Sequence, residues 1–211
     1  MKLQLALDDA ALDPALALLD RVRPYFDIVE VGTPLIIEAG LAAVREIRKR
    51  FPDLSVLADL KIMDAGDVEA RAAFAAGARY VTVLGVTDLL TVGACLNAAV
   101  DCSGTIVVDM ICVDELAQRV RELEAIGATA LAVHTGVDQQ AAGRTPADDL
   151  TTIKAASRRS EIFVAGGITA ETIGQYRRLG ADVAIIGGGI RNAVDPVAEA
   201  ARLARLAKPE A

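Results

Sequence analysis

Ser55-Val56-Leu57-Ala58-Asp59-Leu60-Lys61-Ile62-Met63-Asp64 is the stretch from which the rest of the chain becomes readable. It opens as an apolar run, and three charges arrive where a buried strand should stop. Side chains alternate faces along extended backbone, so Asp59 and Lys61 are expected to point the same way, with Asp64 on the turn beyond. A carboxylate, an ammonium and a second carboxylate at the mouth of an apolar strand can hold a metal ion and a polar substrate. A strand end meeting solvent would look the same, and D-x-K-x-x-D alone does not separate the two.

The same layout recurs in both directions. Short apolar runs return about every 25 residues, at Leu3–Leu7, Asp27–Val31, Ser55–Leu60, Tyr80–Leu84, Thr105–Val108, Ala130–Val133, Glu161–Ala165 and Val183–Ile186. Between them lie Ala-, Leu- and Arg-rich segments with helical spacing, among them Leu12–Val22, Leu41–Arg50, Glu69–Ala76, Leu116–Ala125 and Val197–Leu206. Gly77-Ala78, Gly127-Ala128 and Gly180-Ala181 close helical segments, and glycine is favoured just past a helix end because it accepts positive φ. Strict strand–helix alternation implies a parallel sheet. Eight units in 211 residues predict an α/β chain folded as one (β/α)8 (TIM) barrel domain over residues 1–211, with the tail Lys208-Pro209-Glu210-Ala211 frayed.

Composition agrees with that fold and excludes several functions. Hydrophobic residues make up 53% of the chain, aromatics only 3%, and Trp is absent, so Ala, Val, Ile and Leu must fill the core. A net charge of −7 argues against nucleic acid, whose backbone is bound by clustered Lys and Arg. Cys95, Cys102 and Cys112 form no C-x-x-C and are odd in number, which points to a reducing, cytoplasmic setting. No apolar run reaches the roughly 18 residues of a membrane span, and Met1-Lys2 leads directly into a strand without a signal-peptide layout.

Function in a (β/α)8 barrel gathers at the C-terminal ends of the strands. Those ends carry Asp8, Glu30, Asp59 with Lys61, Asp109 and His134: an ionisable group at five of the eight. Four carboxylates at one opening repel, at about 3 kcal/mol per pair for a ~5 Å separation and an effective dielectric of about 20. Lys61 offsets part of this. Mg²⁺ would offset more, with Glu30 and Asp59 as first-choice ligands, although a metal-free network around Lys61 is the alternative. Gly166-Gly167 and Gly187-Gly188-Gly189 follow strands 7 and 8, where phosphate sites recur, with Arg191 as a charged contact; tight turns would need the same glycines. His134, the only histidine, stands at the sixth mouth, and histidine exchanges protons near neutrality. Phosphate grip, metal and proton carrier suggest a sugar phosphate, with chemistry beside a carbonyl through an enediolate.

D-x-K-x-x-D at strand 3 resembles the hallmark of the orotidine monophosphate decarboxylase superfamily. Within it the chain is similar to the 3-hexulose-6-phosphate synthase family, through Leu3–Asp8, Val29–Pro34, Leu57–Asp64, Val107–Ile111, Ala132–Gly136, Val164–Ile168 and Ile186–Ile190, in order and with compatible spacing. That resemblance implies reversible aldol addition of formaldehyde to D-ribulose 5-phosphate, Mg²⁺ (or Mn²⁺), and a homodimer whose sites each borrow Asp64 from the partner. It further implies metal on Glu30 and Asp59, substrate oxygens on Lys61 and Asp8, His134 as the base at C1, and Asp109 touching substrate or orienting a neighbour. The related 3-keto-L-gulonate-6-phosphate decarboxylases carry Glu in place of Asp109 and Arg in place of Val137 and Gly189, so those three positions favour the synthase. A non-catalytic phosphosugar-binding barrel should have lost one of Glu30, Asp59, Lys61 or His134, and all four are present.

Overall fold

A computed structural model describes residues 1–8 and 11–208; the tail residues 209–211, expected to fray, lie outside the described residues. Eight parallel strands close on themselves in the order β1 to β8. They are β1 (Lys2–Leu7), β2 (Ile28–Val31), β3 (Ser55–Ile62), β4 (Tyr80–Leu84), β5 (Thr105–Asp109), β6 (Ala130–His134), β7 (Glu161–Ala165) and β8 (Val183–Ile186). Around them run α1 (Leu12–Val22), α2 (Thr33–Ala39), α3 (Leu41–Arg50), α4 (Gly66–Ala75), α5 (Leu89–Asp101), α6 (Leu116–Ala125), α7 (Val137–Ala141), α8 (Ala147–Ala156), α9 (Ile173–Arg178), α10 (Gly188–Arg191) and α11 (Pro196–Ala207). The expected (β/α)8 barrel is therefore present as a single domain. Among the described residues no helix is long and apolar enough to cross a membrane.

The strand periodicity builds two shells. Leu3, Leu5, Leu7, Val29, Val31, Val56 and Ala58 pack outward among helix residues such as Leu16, Leu19 and Val44. Ile28, Leu57, Val107, Ala130, Phe163 and Val183 point the other way and form a separate apolar plug inside the barrel. Tyr80 and Phe163 meet edge to face at 6.2 Å between ring centroids, which places two of the chain's few aromatics at this plug. Functional side chains sit above this plug because each strand continues past it toward the mouth.

Helix ends follow local chemistry. Asp88 accepts the N–H of Leu90 at the start of α5, and Asp195 accepts those of Val197 and Ala198 at the start of α11, behind Pro196. Gly77, Gly127 and Gly180 take φ of +104°, +104° and +88°, as their places past α4, α6 and α9 require. At the opposite end of the barrel from the mouth, the buried Glu124 of α6 anchors the loop before β7. Its carboxylate accepts the hydroxyls of Ser157 and Ser160 (2.7 Å each) and the N–H groups of Arg158, Arg159 and Ser160. Burial alone would raise its pKa, but these donors outweigh burial and hold it at about 2.

Two expectations change. Three strands run further toward the mouth than their apolar runs: β3 continues past Leu60 through Lys61 to Ile62, β5 through Asp109 and β6 through His134, so these groups are mounted on strand backbone rather than on loops. Simple alternation also fails in β3. Ala58 pairs with Val81 and Ile62 with Val83, so four steps on β3 oppose two on β4, and Lys61 adopts φ +48°. Asp59 and Lys61 still meet, but through a bulge that folds the lysine back, not through an extended strand.

Candidate active site

The bulge is held by β4. Thr82, the one aliphatic hydroxyl in Tyr80-Val81-Thr82-Val83-Leu84, is buried opposite it; its Oγ1 accepts the Lys61 N–H at 2.9 Å and donates to Asp59 Oδ1 at 2.8 Å. Thr33, at the start of α2, lies 2.7 Å from the other oxygen, Oδ2. Lys61 Nζ completes the clamp at 3.0 Å from Oδ2 and 3.1 Å from Oδ1. Asp59 is thus fixed in one orientation by two hydroxyls and an ammonium. Neither threonine was among the candidates read from sequence, although a polar residue in the middle of an apolar strand was the available signal for Thr82.

Lys61 Nζ also reaches Asp109 Oδ2 at 2.9 Å, and His134 Nδ1 meets that same oxygen at 2.9 Å. Asp109 Oδ1 accepts the N–H of Ile111 at 3.0 Å, which fixes the carboxylate plane. Burial would raise the Asp109 pKa, but the hydrogen bond and charge of His134, with those of Lys61, hold it at about 2. Burial likewise works against the Lys61 charge, and Asp59 and Asp109 overcome it, so its pKa rises. An ionised carboxylate only accepts, so the Nδ1 facing it carries a proton, and in the neutral ring the lone pair is then on Nε2.

Glu30 lies deeper, 7% exposed, and Gln4 Nε2 donates to its Oε2 at 2.6 Å. Its pKa is pushed up by burial first, then by the charges of Asp59 and Asp8, against a smaller opposing pull from Gln4 and Lys61. Asp8 stands at the end of β1 against two bare glycines: a Cβ on Gly32 would lie 2.1 Å from its Oδ1, and one on Gly187 2.8 Å from its Oδ2. Gly187 therefore has a packing duty that the phosphate reading alone did not supply. Lys61 is shared between Asp59 and Asp109, and the charges of Asp59 and Asp8 bear on the buried Glu30, so carboxylate oxygens are concentrated on this side of the mouth. That oxygen-rich, electron-rich donor set fits a divalent cation of the Mg²⁺ kind. Among the described residues no group of three or more His, Cys, Asp or Glu side chains encloses a metal position. Mg²⁺ commonly takes only one or two protein carboxylates and completes its shell with water or substrate oxygens, so Glu30 and Asp59 suffice.

The glycine turns follow β7 and β8, and β8 neighbours β1 in the barrel. Gly166 and Gly167 have φ of +126° and +65°, and α10 opens with Gly188 and Gly189, whose N–H groups lie in a first helical turn without partners in the helix. α10 is only one turn long, so the helix dipole expected there is small and the N–H groups are what remains to meet an anion. A Cβ on Gly189 would come 2.7 Å from the Ile168 carbonyl oxygen, so this position excludes any side chain without backbone movement. Arg191 closes α10 and is exposed. Asp64 stands apart: it is exposed, its Oδ1 accepts the N–H of Ala65 at 2.7 Å, and among the described residues no hydrogen bond joins it to Asp59, Lys61, Asp109 or His134.

This constellation can be compared with known proteins. Residues 1–203 match the orotidine 5'-phosphate decarboxylase / HUMPS family. The chain belongs to that family. Within the orotidine 5'-phosphate decarboxylase / HUMPS family it is similar to the crystal structure of 3-hexulose-6-phosphate synthase from Salmonella typhimurium, with 52% identity, 98% of each chain covered and a TM-score of 0.97. It is 43% identical to the 3-hexulose-6-phosphate synthase of Bacillus subtilis, again over 98% of each chain. The 3-keto-L-gulonate-6-phosphate decarboxylase of Vibrio cholerae is more distant, at 28% identity over 98% of this chain and 96% of that one, with a TM-score of 0.87.

Proposed function

We propose that the chain is a 3-hexulose-6-phosphate synthase, adding formaldehyde reversibly to C1 of D-ribulose 5-phosphate. The observation that carries this reading is Asp109 Oδ2, held 2.9 Å from both Lys61 Nζ and His134 Nδ1. One buried oxygen keeps the lysine charged beside Asp59 and fixes the histidine tautomer with Nε2 basic. His134 Nε2 then takes the C1 proton of the pentulose phosphate, and the electron pair left on C1 bonds to the formaldehyde carbon as its C=O π pair moves to oxygen, which takes up a proton. Lys61 and Asp8 hold substrate hydroxyl or carbonyl oxygens, and Asp109 acts by orienting its two neighbours. Mg²⁺ (or Mn²⁺) on Glu30 and Asp59 would supply Lewis-acid stabilisation of negative charge on the oxygens next to C1.

Backbone N–H groups of Gly166, Gly167, Gly188 and Gly189, with Gly187 shaping the turn and Arg191 beside it, receive the phosphate. Asp64 completes the site of a second copy in a homodimer; its exposure, and that of the apolar Met63 (54%) and Val68 (69%) flanking it, support this assignment. Position 189 also supports the synthase over the decarboxylase reading. The decarboxylases resembled here carry Arg at that place, which the Ile168 carbonyl blocks in this chain.

Purified protein with Mg²⁺, D-ribulose 5-phosphate and formaldehyde should consume formaldehyde in step with the pentulose phosphate. No consumption with either Mg²⁺ or Mn²⁺ would overturn the assignment. Release of CO₂ from 3-keto-L-gulonate 6-phosphate in its place would install the decarboxylase.

A further inference from the structure

Gln4 is fully buried, at 0% exposure, on an inward-facing position of β1 between Leu3 and Leu5, which pack outward against the helices. Its inner neighbours are the apolar plug below and the carboxylates above. Buried amides ordinarily satisfy both donor and acceptor. Here Nε2 donates to Glu30 Oε2 at 2.6 Å, while Oε1 has no hydrogen-bond partner among the described residues. An apolar side chain of similar length would fill the same space without a stranded oxygen. What the amide adds is one N–H aimed at one carboxylate oxygen.

Asp59 shows why such an aim matters. Thr33, Thr82 and Lys61 fix both of its oxygens. Glu30 has a longer side chain with more rotatable bonds, and among the described residues it is Gln4 that hydrogen-bonds to it. With Oε2 tethered, Oε1 is the oxygen left to meet a cation. We propose that Gln4 is a positioning residue that orients Glu30 for divalent-cation binding, an inference that rests on the assignment of Glu30 as a metal ligand.

The test uses Gln4→Met, which keeps length and loses the N–H, beside Glu30→Gln and the double variant. Mn²⁺ binding is measured by electron paramagnetic resonance without substrate and expressed per folded protein from circular dichroism. Gln4→Met should bind Mn²⁺ roughly ten- to a hundredfold more weakly. The double variant should bind no more weakly than Glu30→Gln alone, because both changes remove the same contribution. In turnover, the Mg²⁺ concentration for half-saturation should rise while kcat recovers toward the wild-type value at saturating Mg²⁺. If Glu30→Gln binds Mn²⁺ like the wild type, the metal assignment of Glu30 fails, and this inference with it. If Glu30→Gln loses binding while Gln4→Met stays within about threefold of wild type, the role of Gln4 is overturned and Glu30 stands. A loss that only tracks the unfolded fraction also overturns it, as would be expected of a purely structural amide. Should Gln4→Met not fold, Gln4→Leu is judged by the same criteria.

Discussion

Replacing Asp109 by asparagine probes the centre of the proposed chemistry at almost constant shape. The Ile111 N–H, 3.0 Å from Oδ1, selects which way the new amide lies: its oxygen must stay there, so its nitrogen takes the place of Oδ2. That nitrogen would then face Lys61 Nζ and His134 Nδ1 at the 2.9 Å now spanned by attractive contacts. The lysine has only donors to offer. The histidine can respond by moving its proton to Nε2, which removes the lone pair that takes the C1 proton. Hydrogen bonds to charged groups contribute about 1.5–3 kcal/mol each, and two are lost. Lys61 keeps Asp59 at 3.0 Å, so about 3–4 kcal/mol is a reasonable net cost, or roughly 10²–10³-fold in rate. The assay is C1 proton exchange of D-ribulose 5-phosphate in deuterated buffer with Mg²⁺, followed by nuclear magnetic resonance without formaldehyde. His134→Ala, which should abolish exchange, sets the floor. Exchange by Asp109→Asn within about tenfold of the wild type would refute the tautomer argument.

Three further outcomes are expected. Thr82→Val removes the hydroxyl that joins the Lys61 N–H to Asp59 Oδ1, and turnover should fall about tenfold or more while Thr82→Ser recovers most of it; equal loss in both would show that the hydroxyl alone does not account for the effect. Glu124→Gln should destabilise the fold by about 2–4 kcal/mol near neutral pH in urea denaturation without altering kcat. Because the folded pKa of about 2 lies below the usual carboxylate value of about 4.3, the wild-type advantage is present above the latter and lost as pH falls toward the former; a gap unchanged between about pH 7 and about pH 3 would contradict the assignment. Mixing Asp64→Ala with Lys61→Ala subunits should restore part of the activity that each lacks alone, and mixed dimers that form yet remain inactive would end the shared-site proposal.

The barrel was legible because burial imposes period and spacing: each strand must be apolar on both faces up to the plug, and all eight runs fall within two residues of a strand boundary. The charged groups were legible for the complementary reason, since Asp59, Asp109 and His134 interrupt those runs where the barrel opens. The supporting contacts were not. Gln4, Thr33 and Thr82 earn their positions by partners 26, 26 and 23 residues away; a polar residue inside an apolar strand marks Gln4 and Thr82 as unusual, but nothing local names their partners. The bulge at Lys61 was hidden because alternation predicts the same convergence of Asp59 and Lys61 that the bulge achieves by another path. α7 and α10 are too short to show a helical period at all.

The apolar plug has a consequence for how such a molecule changes over generations. It insulates the acidic opening from the Glu124 lock at the far end, so substitutions that alter which carbonyl compound is handled need not be vetted against the contacts that close the barrel. Chemistry and durability then become nearly independent traits on one chain. A lineage built this way can explore new reactions by exchanging a few strand-end side chains, drawing on a reserve of robustness kept some distance away.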